Sequence, residues 1–179
     1  AFGGFNRIDF SADGYQVTPV VMSNERKEIL NDNLMMFFTG FSRFSSDIQT
    51  STQAVLKDKT AQLLEMYSLV DTAQGILTDK NSDLNDFGRL LDHTWKLKRG
   101  ITTRISTNSL DEIYEKAMSA GALGGKLLGA GGGGFFVFYV EPEKRKSVMQ
   151  ALDKLLYIPF RFEDSGTRVI YFDAEDYQI

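Results

Sequence analysis

Apolar runs broken by polar turns divide this chain into short strands and longer helices. Phe5 to Phe10 and Tyr15 to Val21 read as two extended segments, and Asp13-Gly14 within Ser11-Ala12-Asp13-Gly14 favours a hairpin turn between them. Leu34-Met35-Met36-Phe37-Phe38 is almost wholly apolar, which predicts a strand in a sheet interior, ended by Thr39-Gly40. From Ser42 or Arg43 to about Gly75, Ile48, Val55, Leu63, Met66 and Val70 recur at mixed three- and four-residue steps, predicting a helix with a bend near Thr50-Ser51-Thr52. Asn81-Ser82-Asp83 offers caps for a second helix through Phe87, Leu90, Leu91 and Trp95, ending near Lys98-Arg99-Gly100, where basic residues suit a helix C-terminus. Thr107-Asn108-Ser109 opens a third, through Leu110, Ile113, Tyr114, Ala117 and Met118 to about Gly121.

The apolar run Phe135 to Val140 predicts another strand. Pro142 suits the first turn of a helix through Val148, Leu152 and Leu155. Arg161-Phe162-Glu163 and Thr167 to Phe172 are the last strand candidates. Few strands separated by longer helices predict an α+β two-layer domain rather than a doubly wound sheet.

Composition narrows the chemistry. The chain has 179 residues, 42% hydrophobic and 25% charged, enough for one globular domain with a core. A formal charge of -4 gives a nucleic-acid partner no overall support. No cysteine is present, which excludes disulfides and thiolate chemistry, and the single histidine, His93, argues against a histidine-rich metal site. No apolar stretch is long enough to cross a bilayer and no signal-peptide pattern opens the chain, so a cytoplasmic protein without a membrane partner is expected.

The run Gly124-Gly125-Lys126-Leu127-Leu128-Gly129-Ala130-Gly131-Gly132-Gly133-Gly134 stands out from this background. Ordering it is costly, since glycine loses more backbone freedom than any other residue and gains no side-chain packing. A structural turn or a ligand-facing loop, with backbone amides lining a concavity, would each offset that cost. The order of a P-loop is absent, because Lys126 precedes most of the glycines and no Ser or Thr follows in place. With a predicted helix before the run and a strand after it, the dinucleotide fingerprint is absent too.

Lys126 to Phe136 resembles the third signature motif of the kinases that include galactokinase, homoserine kinase, mevalonate kinase and phosphomevalonate kinase. Ala1-Phe2-Gly3-Gly4-Phe5-Asn6, Phe37-Phe38-Thr39-Gly40 with Arg43, Trp95 to Arg99, Ile113-Tyr114-Glu115 leading to Gly121-Ala122, and Phe160 to Glu163 resemble its heptose-7-phosphate kinase branch. The resemblance implies a two-layer ferredoxin-like C-terminal kinase domain over 34–179, preceded by domain-junction strands and a linker over 1–33. It implies transfer of the ATP γ-phosphate to the anomeric hydroxyl of a D-glycero-D-manno-heptose 7-phosphate, with ATP and Mg²⁺ used by the full-length enzyme.

The family's Gly-Leu-Gly-Ser-Ser-Ser phosphate motif and its catalytic aspartate are absent from these residues. No catalytic residue or metal ligand is therefore assigned here, neither cofactor is expected to bind this chain tightly alone, and the isolated chain is expected to be inactive without an N-terminal kinase domain. By resemblance, Gly129, Gly131, Gly132, Gly133 and Gly134 support the active site. The substrate-binding candidates are Arg43, whose guanidinium could bind the sugar-linked phosphate, Lys98 and Arg99 as a further anion patch, and Lys126 as a positive charge beside the glycine loop. The bland readings are a surface ion pair for Arg43, helix-end compensation for Lys98 and Arg99, and a solvent-facing Lys126. His93 and Trp95 read as a polar contact and core packing, Asp9 and Asp13 as hairpin residues, and Arg161 and Glu163 as outward charges on a short strand. Asp71, Asp79, Asp83 and Asp86 read as helix and loop surface. A noncatalytic small-molecule binding domain, or an oligomerisation module forming a homo-oligomer, is the alternative on the same scaffold.

Overall fold

The structure is a computed structural model describing residues 2–40, 55–101, 105–129 and 132–171. The chain divides into two compact units, one formed by Ala1–Val21 with Arg161–Ile179 and the other by Met22–Phe160.

In the first unit, strands β1 (Asn6–Ser11) and β2 (Gly14–Pro19) pair antiparallel, with Ser11 opposite Gly14. Ala12-Asp13 forms the expected tight turn, and the Asp13 amide donates to Ser11 Oγ at 3.3 Å. The segment from Arg161 onward packs on this ribbon without forming a strand among its described residues. The Gly4 amide donates to the Glu163 carbonyl at 2.8 Å, and the Phe5 and Phe162 rings meet edge to face at 4.5 Å. The expected strands at Arg161-Phe162-Glu163 and from Thr167 are thus corrected to a strap without strand assignment among its described residues, with Phe162 against the Phe5 ring and the Glu163 carbonyl on the Gly4 amide.

The second unit holds a four-stranded antiparallel sheet. Its strands are β3 (Leu34–Phe38), β4 (Gly124–Leu127), β5 (Phe135–Tyr139) and β6 (Leu156–Ile158), in the spatial order β4-β5-β3-β6. Counted within this sheet the order is second, third, first, fourth, that of a ferredoxin-like split βαβ pair. The helices are α1 (Asn24–Asn33), α2 (Thr60–Thr78), α3 (Asn85–Arg99), α4 (Asn108–Ser119) and α5 (Arg145–Ala151). This is the α+β arrangement that the pattern predicts.

Alternation along the strands builds the core. Met35 and Phe37 on β3, Leu127 on β4, and Phe136 and Phe138 on β5 are fully buried, together with Trp95, Leu110, Ala117 and Val148. Trp95 meets Phe136 edge to face at 5.6 Å, and Phe136 stacks on Phe138 at 5.2 Å, two residues apart on the same strand face.

Local chemistry explains the helix boundaries. Thr107 caps α4, its side chain accepting from the Leu110 amide at 3.4 Å. The same helix ends in a Schellman motif, in which the Gly121 amide donates to Met118 and the Ala122 amide to Ala117. Helix α2 runs to Thr78, three residues past its expected end. Arg26 of α1 reaches its last turn and donates to the carbonyls of Ile76 (2.6 Å), Leu77 (3.1 Å) and Ser82 (2.8 Å).

Three other expectations change. Asn24–Asn33 is a helix capped by Ser23, although its few apolar residues give almost no periodic signal. The helix after Pro142 is a 3-10 turn (Pro142–Lys144) followed by only two turns of α5. The chain then turns back, so that Leu156–Ile158 pairs with β3 as an edge strand.

Candidate functional site

The glycine run proves to be two features. Gly124 and Gly125 belong to β4, whose partner residues on β5 are Tyr139 and Phe138. A strand, not the expected helix, therefore precedes the glycine loop. The dinucleotide fingerprint remains absent, because the loop leads into strand β5 and not into a helix.

Glycine is required on β4 by close approach. A Cβ on Gly124 would lie 2.0 Å from the Gly88 carbonyl oxygen of α3, and one on Gly125 would lie 2.3 Å from the Phe138 ring. Helix α3 thus packs against the free side of this edge strand. The Tyr114 hydroxyl bridges the elements, taking the Gly125 amide and donating to Asp92 Oδ1 at 2.7 Å. Burial first, and this bond to a carboxylate second, push the Tyr114 phenol far above its ordinary value.

From Leu128 onward the chain forms the β4–β5 hairpin loop. Gly129, Gly132 and Gly134 have φ of +81°, +75° and +102°. The space around Gly129 and Gly134 is open, so backbone conformation alone requires glycine there. Ala130 and Gly131 lie outside the described residues. Hydrogen bonds among the described residues hold the loop: the Leu128 amide to Phe135 (2.8 Å), the Gly132 amide to Ile105 (2.9 Å), the Thr39 amide and hydroxyl to Gly134 (each 2.9 Å), and Lys98 Nζ to Gly129 (2.7 Å). Nothing in the side-chain pattern signals the part played by Ile105, because it acts through its carbonyl.

Lys98 therefore comes from the last turn of α3 to the mouth of the hairpin. Lys126, on the strand leading into it, lies near enough to act on it electrostatically. Burial, and secondly the Lys126 charge, lower the Lys98 ammonium from its ordinary range to about 8. Among the described residues neither ammonium has a carboxylate partner.

The remaining candidates lie elsewhere. Arg99 turns to Asp111, with Nη2 and Oδ1 3.0 Å apart. Arg43 lies outside the described residues. His93 contacts Glu65 at 2.7 Å on the exposed side of α3, Trp95 is in the core, and Asp9 pairs with Arg7. Asp79 and Asp83 accept from the amides of Asn81 and Asn85 in local turns, and Asp86 pairs with Arg89.

Among the described residues no cluster of three metal-ligating side chains comes together, and the hairpin amides at Leu128 and Gly132 are already bonded within the fold. Also among the described residues, no helix is long and apolar enough to cross a membrane.

Comparison with known proteins agrees with this fold. Residues 73–158 match the family model described as GHMP kinases C terminal. The chain is 30% identical over 155 residues to a D-glycero-alpha-D-manno-heptose 7-phosphate kinase of Campylobacter jejuni, covering 86% of this chain and 45% of that protein. A crystal structure of a D-glycero-D-manno-heptose 1-phosphate kinase from Bacteriodes thetaiotaomicron superposes with a TM-score of 0.61 at 27% identity, covering 93% of this chain and 44% of the other. L. major mevalonate kinase in complex with R-mevalonate shares the fold, with a TM-score of 0.65 at 20% identity over 83% of this chain and 44% of that one. The chain spans less than half the length of each of these proteins.

Proposed function

With a GHMP kinase C-terminal domain in this chain, we propose that it is the C-terminal part of an ATP-dependent sugar-phosphate kinase. Its substrate is a D-glycero-D-manno-heptose 7-phosphate, phosphorylated at the anomeric hydroxyl to the 1,7-bisphosphate. The observation that supports this reading is the Lys98–Lys126 pair at the mouth of the glycine hairpin, two ammonium groups without a carboxylate partner among the described residues. A sugar-linked phosphate supplies the missing negative charge. The hairpin, pinned by Ile105 and Thr39, keeps that phosphate at a fixed distance from the reacting hydroxyl. Arg43 is a further cation for the same phosphate.

An N-terminal kinase domain supplies the ATP-phosphate loop and the catalytic aspartate, so the 179 residues alone turn over no substrate. The test is ADP release by the full-length kinase with ATP, Mg²⁺ and heptose 7-phosphate. Lys98→Met and Lys126→Met should each raise KM for the sugar phosphate by about tenfold or more, the worth of a hydrogen bond to a charged group. Absence of turnover with any heptose phosphate defeats the substrate assignment. Turnover with KM unchanged in both variants defeats the phosphate site alone.

A further inference from the structure

We infer that a groove at the C-terminal end of α3 is a second small-molecule site that takes adjacent hydroxyls of a neutral sugar or polyol. It stands independently of the kinase reading. The groove has a volume of about 540 Å³ and lies between the end of α3 (Lys96, Arg99, Gly100) and the start of α4 (Ser106 to Asn108, and Asp111). That volume is within the range of small-ligand sites.

The groove uses a different face of α3 from the glycine hairpin. Lys96 and Arg99 are three residues apart and share a face, whereas Lys98 is rotated from Arg99 by about 100° and is bound to Gly129.

Its charge argues for a neutral ligand. Arg99 is paired with Asp111, and Lys96 Nζ with Asp92 Oδ2 at 2.7 Å, so both cations are already matched. A phosphate would have to compete with Asp111 for Arg99. Adjacent hydroxyls need not, since each both donates and accepts.

The lining supplies the complementary groups. Asp111 Oδ1 is occupied by Ser106 Oγ at 2.6 Å and by Arg99, while Oδ2 has no partner among the described residues. Arg99 makes no other hydrogen bond or ion pair among them and keeps further N–H donors, and the exposed Asn108 amide has no partner among them either. One carboxylate acceptor, one guanidinium edge and one amide thus line the same groove. The Arg99–Asp111 pair fixes the first two in place before any ligand arrives. With no aromatic ring among the described lining residues, binding is expected in the millimolar range (~4 kcal/mol).

The experiment is an amide chemical-shift titration of the protein with methyl α-D-mannopyranoside, whose ring carries a cis pair of hydroxyls. Inorganic phosphate and the 2,3-di-O-methyl glycoside are run in parallel. The expected result is a saturable shift at Gly100, Thr107, Asn108 and Asp111 with the free mannoside and with neither control. Asp111→Asn should weaken it by about tenfold, and Asn108→Ala, a change at an exposed first-turn residue, by about threefold or more. No localised shift, shifts of equal affinity in both variants, or shifts with phosphate instead of the mannoside would each overturn the assignment.

Discussion

Replacing Gly124 by alanine tests how closely α3 lies on β4. The added Cβ would be 2.0 Å from the Gly88 carbonyl oxygen, 2.7 Å from the Asp92 amide nitrogen and 3.0 Å from the Asp92 Cβ. Two of these atoms are backbone, so no rotamer change relieves the clash. The helix must retreat by ~1 Å, and a gap of that size forfeits about a quarter to a half of the dispersion energy of each contact it opens. Trp95, on the same helix, is fully buried against Phe136 and would feel the movement. Overpacking in a close-packed core costs about 1–3 kcal/mol, and a backbone collision belongs at the upper end. For a chain of this size, about 3 kcal/mol lowers Tm by about 6–12 °C. Gly75 in α2 supplies the opposite case, since its Cβ would meet nothing within 4 Å. There alanine should stabilise by about 0.5–1 kcal/mol through helix propensity alone. Urea unfolding followed by the fluorescence of Trp95, the single tryptophan, reads both variants. A loss under about 0.5 kcal/mol for Gly124→Ala, within the scatter of surface substitutions, would refute the close approach. So would an equal loss for Gly75→Ala.

Gly129→Ala, placed in open space at φ +81°, should cost about 1–2 kcal/mol by backbone strain alone, measured by the same unfolding assay. Lys98 binds fewer protons in the folded state between its lowered value of about 8 and the ordinary lysine range. Its destabilising effect is therefore complete below pH 8 and relieved as pH rises through that window, and Lys98→Met should flatten this part of the stability profile. Affinity for inorganic phosphate at the Lys98–Lys126 pair should fall over the same rise in pH, and a constant affinity in calorimetry would count against the site. Arg26→Ala removes three bonds to carbonyls at and beyond the end of α2 and should cost about 1.5–3 kcal/mol in urea unfolding. Tyr114→Phe leaves the Gly125 amide without its acceptor and should cost about 1–2 kcal/mol in the same assay.

The elements legible in the sequence are those whose signal is local. The β1–β2 turn follows from Asp13-Gly14, β3 from five consecutive apolar residues, and the ends of α4 from Thr107 and Gly121. Helix α1 was not legible, because it is held by distant partners: Arg26 on the end of α2, and Asn33, whose side chain donates to the Tyr139 hydroxyl at 2.8 Å. Edge strand β6 was hidden for a similar reason. It is three residues long and paired on one side only.

The candidate site divides along the same line. Glycines mark it plainly, but glycine serves two needs here, and composition cannot separate them. Gly124 and Gly125 are small because a helix backbone and a phenylalanine ring occupy the space of their side chains, whereas Gly129 and Gly134 have free space and an unfavourable φ. Substitution separates the two directly. Alanine at the first pair should move α3 and β4 apart and disturb the core, while at the second pair it should strain only the loop that Lys98 and Thr39 hold. The hairpin and its lysines can therefore be perturbed through Gly129 or Gly134 with the sheet left intact. A loss of phosphate affinity in those variants without a matching loss of core stability would assign the loop to binding, and a parallel loss of both would assign it to the fold.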